Sequence, residues 1–250
     1  MPTLTWLGQA GFRIDLDDRS LLVDPWLSEH ELRAIAVPAL PLATEGIDWL
    51  LVTHEHIDHL DLPFLPQLLA GSPTVRVVLP KPAAPLLEGI VSPDRVHTVR
   101  PGDVVDLDGL PVNVVPAYHG LTMADAYGDG SAIDGRPRFV GYVLETSPRV
   151  YHAGDTILGD GLVAALAGLD VDVALLPING RDAEREASGL VGNLDAEEAV
   201  ELALAIGAST LVPYHWDGFV GNTASPGEAV DIAAARLHVV VPARCEPFRL

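Results

Sequence analysis

The chain has 250 residues, 48% of them hydrophobic, with 35 acidic against 15 basic side chains and a formal net charge of −20. That length buries a full hydrophobic core without help from disulfides, and the lone cysteine, Cys245, has no internal partner, which agrees with a reducing cytoplasm. So acidic a surface, with Lys81 the only lysine and no run of arginines, speaks against long nucleic acid as a partner. The opening "MPTLTWLGQAGFRID" lacks the basic segment and long apolar core of a signal peptide. No apolar run reaches membrane-spanning length, so no membrane partner is expected.

Taken in chain order, short apolar or β-branched runs bounded by Gly, Pro or Asp predict strands at "TLTWL", "FRIDL", "SLLVD", "DWLLVT", "VRVVL", "RVHTV" and "PVNVVP". Between them, Leu62, Leu65, Leu68 and Leu69 are spaced as a helix face, against which Pro66 counts. The second half alternates more regularly. "GYVLET" and "RVYHAGD" read as a hairpin, "GLVAALAGL" as a helix, "VDVALLPI" as a strand, "DAEEAVELALAIG" as a helix and "STLVPYH" as a strand. In the longer helix Asp195 and Glu198 form a capping-box pattern, and Gly207 stands where a C-terminal cap belongs. Strands followed by helices in both halves, with no low-complexity linker, predict one domain over residues 1–250, α/β (α+β) in class, with a central pair of sheets covered by helices.

Three of the nine histidines crowd into "LVTHEHIDHLD". The strand predicted at "DWLLVT" ends there, and strand ends are where α/β proteins build sites. In His-x-His-x-Asp-His, His54 and His56 project the same way from extended backbone, while Asp58 and His59 follow as the chain turns. One loop thus offers two imidazoles to one metal ion, and a carboxylate with an imidazole to another. Imidazole and carboxylate together suit zinc, manganese or iron rather than calcium. Four ligands leave such a site incomplete, and three further strand ends supply candidates: His119 after "VNVVPAY", Asp155 after "RVYHAG", and His215 after "STLVPY".

In that order, HxHxDH, His119, the "GDT" of Gly154 to Thr156 and His215 resemble the metallo-β-lactamase superfamily of hydrolases. The resemblance spans nearly the whole chain and implies an αββα sandwich of two mixed β-sheets flanked by helices. It also implies that His54, His56 and His119 hold a first ion, that Asp58, His59 and His215 hold a second, and that Asp155 bridges them. The cofactor so implied is two divalent metal ions, zinc by the superfamily's habit. The segments "PINGRD", "GN" and "YHWDGFVGNT" are similar to the branch that contains L-ascorbate 6-phosphate lactonase, where manganese is the implied metal. A redox di-iron role is disfavoured, since relatives of that kind carry a glutamate where this chain has His56. The single cysteine lies far in sequence from every motif, so no thiol nucleophile is expected.

The expected activity is therefore that of a dinuclear metal-dependent hydrolase, in which a metal-bridging hydroxide opens a small lactone or ester, phosphorylated in the lactonase case. Asp58 and His215 are the expected catalytic residues. The alternative is a phosphodiesterase acting on cyclic nucleotides or RNA ends. The expected partner is a small, anionic molecule. Arg181 and Arg185 would either grip the anionic group or pair on the surface with Asp182, Glu184 or Glu186, and Asn193 and Asn222 would line the pocket or serve their turns. Asp24, which ends a strand before Pro25, either accepts a hydrogen bond from a ligand histidine or starts an Asp-Pro turn. His152, His30, His97 and His238 read as packing residues. The sequence leaves the oligomeric state open, a homo-oligomer included.

Overall fold

A computed structural model describes residues 1–38, 41–127 and 137–250. The first half begins as an antiparallel meander of β1 (Thr3–Gly8), β2 (Gly11–Asp15) and β3 (Ser20–Val23). It continues in parallel through β4 (Trp49–Leu51), β5 (Arg76–Pro80) and β6 (Val96–Val99), with α1 (Pro41–Thr44) and α2 (Leu65–Gly71) in the connections. The second half repeats the plan. The antiparallel strands β7 (Val104–Asp106), β8 (Pro111–Ala117), β9 (Phe139–Leu144) and β10 (Val150–His152) lead into the parallel strands β11 (Val173–Pro177), β12 (Thr210–Tyr214) and β13 (His238–Val239). Helices α3 (Asp160–Leu166), α4 (Ala183–Ala187), α5 (Ala196–Ala205) and α6 (Pro226–Ala233) lie between the later strands. Finally β14 (Pro247–Arg249) returns to pair with β1, so the sheets run β14-β1-β2-β3-β4-β5-β6 and β13-β12-β11-β10-β9-β8-β7.

The central strands are apolar at every position because both of their faces are covered. In β4, Trp49 and Leu51 enter the core between the sheets, while Leu50 and the following Val52 pack outward under α1 and α2. In β11, Val173 and Leu175 face inward, and Ala174 and Leu176 meet the helices of the second half. Three apolar layers thus separate four structural ones, and the expected αββα sandwich of two mixed sheets is the observed architecture. Among the described residues no helix is long and apolar enough to cross a membrane.

Local signals act where the sequence places them. The Asp195 carboxylate accepts from the Glu198 amide and the Glu198 carboxylate from the Asp195 amide, closing the capping box of α5. Gly207 leaves that helix at φ +78°, as a C-terminal glycine does. Helix α2 starts at Leu65, so Pro66 falls in its first turn, where no N–H is needed. The strand β7 and helices α4 and α6, absent from the sequence reading, are three to eight residues long. The two other unread strands, β13 and β14, are edge strands of two and three residues.

Candidate metal centre

The carboxyl ends of β3, β4, β8, β10, β11 and β12 open on the same edge of the sandwich, and their loops bring the candidates together. His54, His56, Asp58 and His59 follow β4; His119 follows β8; Asp155 follows β10; His215 follows β12 directly. Two tyrosines tie these loops to the opposite sheet or strand. Tyr142 on β9 donates its hydroxyl to the Val52 carbonyl at 2.6 Å, and Tyr214 donates to the Gly154 carbonyl at 2.5 Å. Burial of both phenols makes these bonds strong constraints on loop position.

The seven side chains form two adjoining groups. His54, His56, His119 and Asp155 present ligand atoms within 4.8 Å of one another, and so do Asp58, His59 and His215. In the first, His54 Nε2 and His119 Nε2 lie 3.0 and 3.3 Å from His56 Nδ1. In the second, His215 Nε2 is 3.2 Å and His59 Nε2 3.5 Å from Asp58 Oδ2. Asp155 touches both: its Oδ1 is 3.2 Å from His59 Nε2, and its Oδ2 lies 3.3 Å from His215 Nε2 and 3.6 Å from His119 Nε2.

Electrostatics differ between the groups. Burial holds His54 well below the usual imidazole range and takes His119 down to about 3, so both rings are neutral and free to ligate. Burial acts the same way on His59 and His215, but carboxylates override it. Asp155, Asp58 and Asp24 hold His59 well above the usual range, and Asp155 with Asp58 raises His215 to about 9. Burial in turn would raise Asp58 and Asp155. The proximity of positively charged His59 and His215 keeps Asp58 ionised, and His215 and then His59 do the same for Asp155.

This donor set fits divalent ions. His59 Nε2 and Asp155 Oδ1 are buried without a hydrogen-bond partner, and three imidazole nitrogens converge to within hydrogen-bond distance around His56. Buried polar atoms left so are rare unless something fills the space between them. Five imidazoles and two carboxylates are ligands of the zinc and manganese kind.

Backing residues aim these ligands. The Asp24 carboxylate, left at the end of β3 with φ +46°, takes His59 Nδ1 at 2.7 Å and the Thr53 hydroxyl at 2.6 Å, and also the Thr53 amide. That fixes the His59 ring with Nε2 toward the site, the first of the two roles open to Asp24. Gly154 shows why "GDT" begins with glycine: at φ +63° a Cβ there would come within 2.8 Å of Thr53 Cβ and Oγ1. His152 packs between Phe12 and Tyr214 and bonds the Ala10 carbonyl through Nε2 at 2.9 Å, outside the ligand groups.

Gln9 was not anticipated. It sits in the β1–β2 turn at φ +52°, 1% exposed, and its Nε2 donates to Asp58 Oδ2 at 2.8 Å and lies 2.9 Å from His215 Nε2. The His215 amide bonds the Gln9 carbonyl at 3.1 Å, and His215 itself is left-handed at φ +60°. Left-handed backbone at such residues costs on the order of 1–3 kcal/mol each and persists where surrounding contacts impose it. The only sequence signal was a polar side chain in the apolar, glycine-flanked turn "LGQAG".

The residues expected to meet substrate fall in different places. Asn222 lines a cavity of about 420 Å³ whose floor is His56, Asp58, His119, Asp155 and His215. Asn193 is fully buried beside it, donating to Asn179 Oδ1, and does not line the cavity. Arg181 does not line it either. Both its terminal nitrogens bond the Glu198 carboxylate at 2.6 Å, and one also bonds the Asn193 carbonyl. Arg185 is engaged by Asp182, by the Asn179 carbonyl and by Asn222 Oδ1.

Comparison with known proteins agrees with this geometry. A family model described as beta-lactamase superfamily domain matches residues 19–216. A UPF0173 metal-dependent hydrolase of Methanopyrus kandleri is 30% identical over 226 residues, covering 90% of this chain and 88% of the relative. Two solved structures share the fold. Igni18, a metallo hydrolase from Ignicoccus hospitalis, has a TM-score of 0.74 at 22% identity, covering 99% of this chain and 97% of its own. The isothiocyanate hydrolase from Delia radicum gut bacteria has a TM-score of 0.78 at 18% identity, covering 99% and 98%.

Proposed function

The chain belongs to the beta-lactamase superfamily, among the UPF0173 metal-dependent hydrolases, and on that premise we propose that it is a dinuclear enzyme opening a small lactone or ester. The observation that carries the reading is Asp155, whose carboxylate reaches both ligand groups: Oδ1 lies 3.2 Å from His59 Nε2, and Oδ2 lies 3.3 Å from His215 Nε2 and 3.6 Å from His119 Nε2. His54, His56 and His119 would hold one ion and Asp58, His59 and His215 the other, with zinc favoured by the imidazole-rich set and manganese the alternative. Two such ions would supply an acidified water and a Lewis acid for the carbonyl oxygen.

The remaining work falls to the protein. Asp58 carries Gln9 on Oδ2, which leaves Oδ1 to orient the attacking water and take its proton toward the leaving alkoxide. His215, fixed by its backbone bond to Gln9, is held over the same space with Nε2 toward Asp58 and Asp155, where it would serve as a ligand of the second ion. Asp24 and Thr53 keep His59 from turning. The cavity walls exclude bulk water from one side of the substrate. No serine or cysteine nucleophile is required, and Cys245 is not among the cavity residues.

The experiment is a substrate panel on protein reconstituted with zinc or manganese, setting lactones and aryl esters against bis-p-nitrophenyl phosphate and cyclic nucleotides. Lactone or ester turnover that disappears with chelator and returns with metal is expected. Full activity in metal-stripped protein, or a preference for the phosphodiesters, would overturn the reading.

A further inference from the structure

The cavity above the ligand groups has a polar floor and apolar walls. Leu32, Ile57, Leu190 and Val220 stand at its edge between 39% and 66% exposed, and Phe219 and Leu121 complete the wall. Large apolar side chains left in water together on a surface mark a place where something apolar is meant to sit. The polar groups that accompany them, Ser188 and Asn222, are uncharged.

No lysine or arginine lines the cavity among the described residues. The two arginines of "PINGRD" and the helix after it are held elsewhere: Arg181 by both oxygens of Glu198, Arg185 by Asp182 and two oxygen acceptors of the backbone and Asn222. Arg138 is paired with Glu55. An anionic substituent on the far end of a substrate would lose its hydration among leucine and valine with no lysine or arginine among the described lining residues to replace it. It would also approach a chain of formal charge −20.

We infer that the substrate is an uncharged lactone or ester bearing an apolar tail, which lies between Leu190, Val220 and Ile57 while the carbonyl meets the ligand groups, and that phosphorylated or carboxylated counterparts are poor substrates. The inference rests on the hydrolase reading for the reacting end, whereas the tail's chemistry rests on the walls alone. Asn222 accepts from Asn179 and Arg185 through its side-chain oxygen and presents an uncharged amide to the cavity. Each methylene of the tail, moved from water onto these walls, is worth about a fourfold gain in affinity until the cavity is full.

The test uses two series on the metal-loaded protein: lactones with linear alkyl tails of two to eight carbons, and the same compounds ending in phosphate. Affinity is read separately with the corresponding non-hydrolysable lactams by calorimetry. Expected are kcat/KM and lactam affinity that rise about three- to fourfold per methylene over the first few carbons, and at least about a tenfold loss on adding the terminal phosphate. The double variant L190K/V220K should narrow or reverse that discrimination, with both positions exposed enough to accept lysine. Lactam binding with this tail dependence but no lactone or ester turnover would refute the reading of the reacting end and leave the inferred apolar, uncharged tail standing. Equal or tighter binding of the phosphate series, a flat dependence on tail length, or no binding by either series would overturn it.

Discussion

The two ligand groups share Asp155 and little else. The first is made of three imidazoles, two of them neutral through burial, and its His119 has a buried Nδ1 with no partner. The second is charged and heavily backed: His59 is held by Asp24, Asp58 by Gln9, and His215 by a backbone bond between two left-handed residues. The lesson is that the same motif loop feeds two candidate ligand groups of unequal construction. The first is backed by uncharged oxygens, with Thr53 Oγ1 at 3.1 Å from His54 Nδ1 and the Leu121 carbonyl at 3.3 Å from His56 Nε2, whereas the second is backed by the Asp24 carboxylate and the Gln9 amide.

The largest effect should come from the shared residue. Asp155→Asn removes the carboxylate common to both groups, and metal content should fall at both sites, with turnover lower by more than about 10²-fold. If that variant still binds one full equivalent, the groups are more independent than their geometry indicates. His56→Ala should strike the first group alone: one equivalent of metal remains and turnover falls by about 10²-fold. Unchanged metal stoichiometry would assign the site to other ligands.

Asp24→Asn is the mirror test. It weakens metal at the second group by about 10–100-fold while leaving the first intact, as read by competition with a chelator of known affinity. Gln9→Met, which keeps length but not the donor, should lower kcat by about tenfold with little change in KM, since Gln9 acts through Asp58. A change in KM alone would place Gln9 in the substrate's path instead.

The smallest effect lies away from both groups. Glu198→Gln keeps the capping box but loses the paired charge of Arg181, at a cost of up to about 1 kcal/mol at pH 7. Burial works to raise Glu198, but the Arg181 hydrogen bonds keep its carboxyl below the ordinary range. The pair's contribution is therefore complete above the unfolded carboxylate value and fades as pH falls through the folded one. Thermal midpoints of variant and parent should converge in acid. Activity should be unchanged, since neither residue lines the cavity.

Much of this was readable in the sequence because it is local. The apolar run before His54, the capping box of α5 and the strand-end positions of His119, Asp155 and His215 each depend on neighbours a few residues away. The ligand assignment needed the resemblance as well, since spacing alone proposes metal without pairing the loops. What stayed hidden depends on distant partners. Gln9 meets Asp58 at a separation of 49 residues and His215 at 206. Local sequence leaves Arg181 open either to an anion or to Asp182, Glu184 and Glu186, because nothing local shows that Glu198, already half of a cap, takes its guanidinium. Elements such as β13 and β14 were too short to carry a period.

The most direct test of the dinuclear account is a metal titration of chelator-treated protein, following bound metal and lactone or ester turnover together. Two equivalents per chain, with activity reaching its maximum only as the second is filled, is the predicted result. Saturation and full activity at one equivalent, or turnover with none, would contradict it.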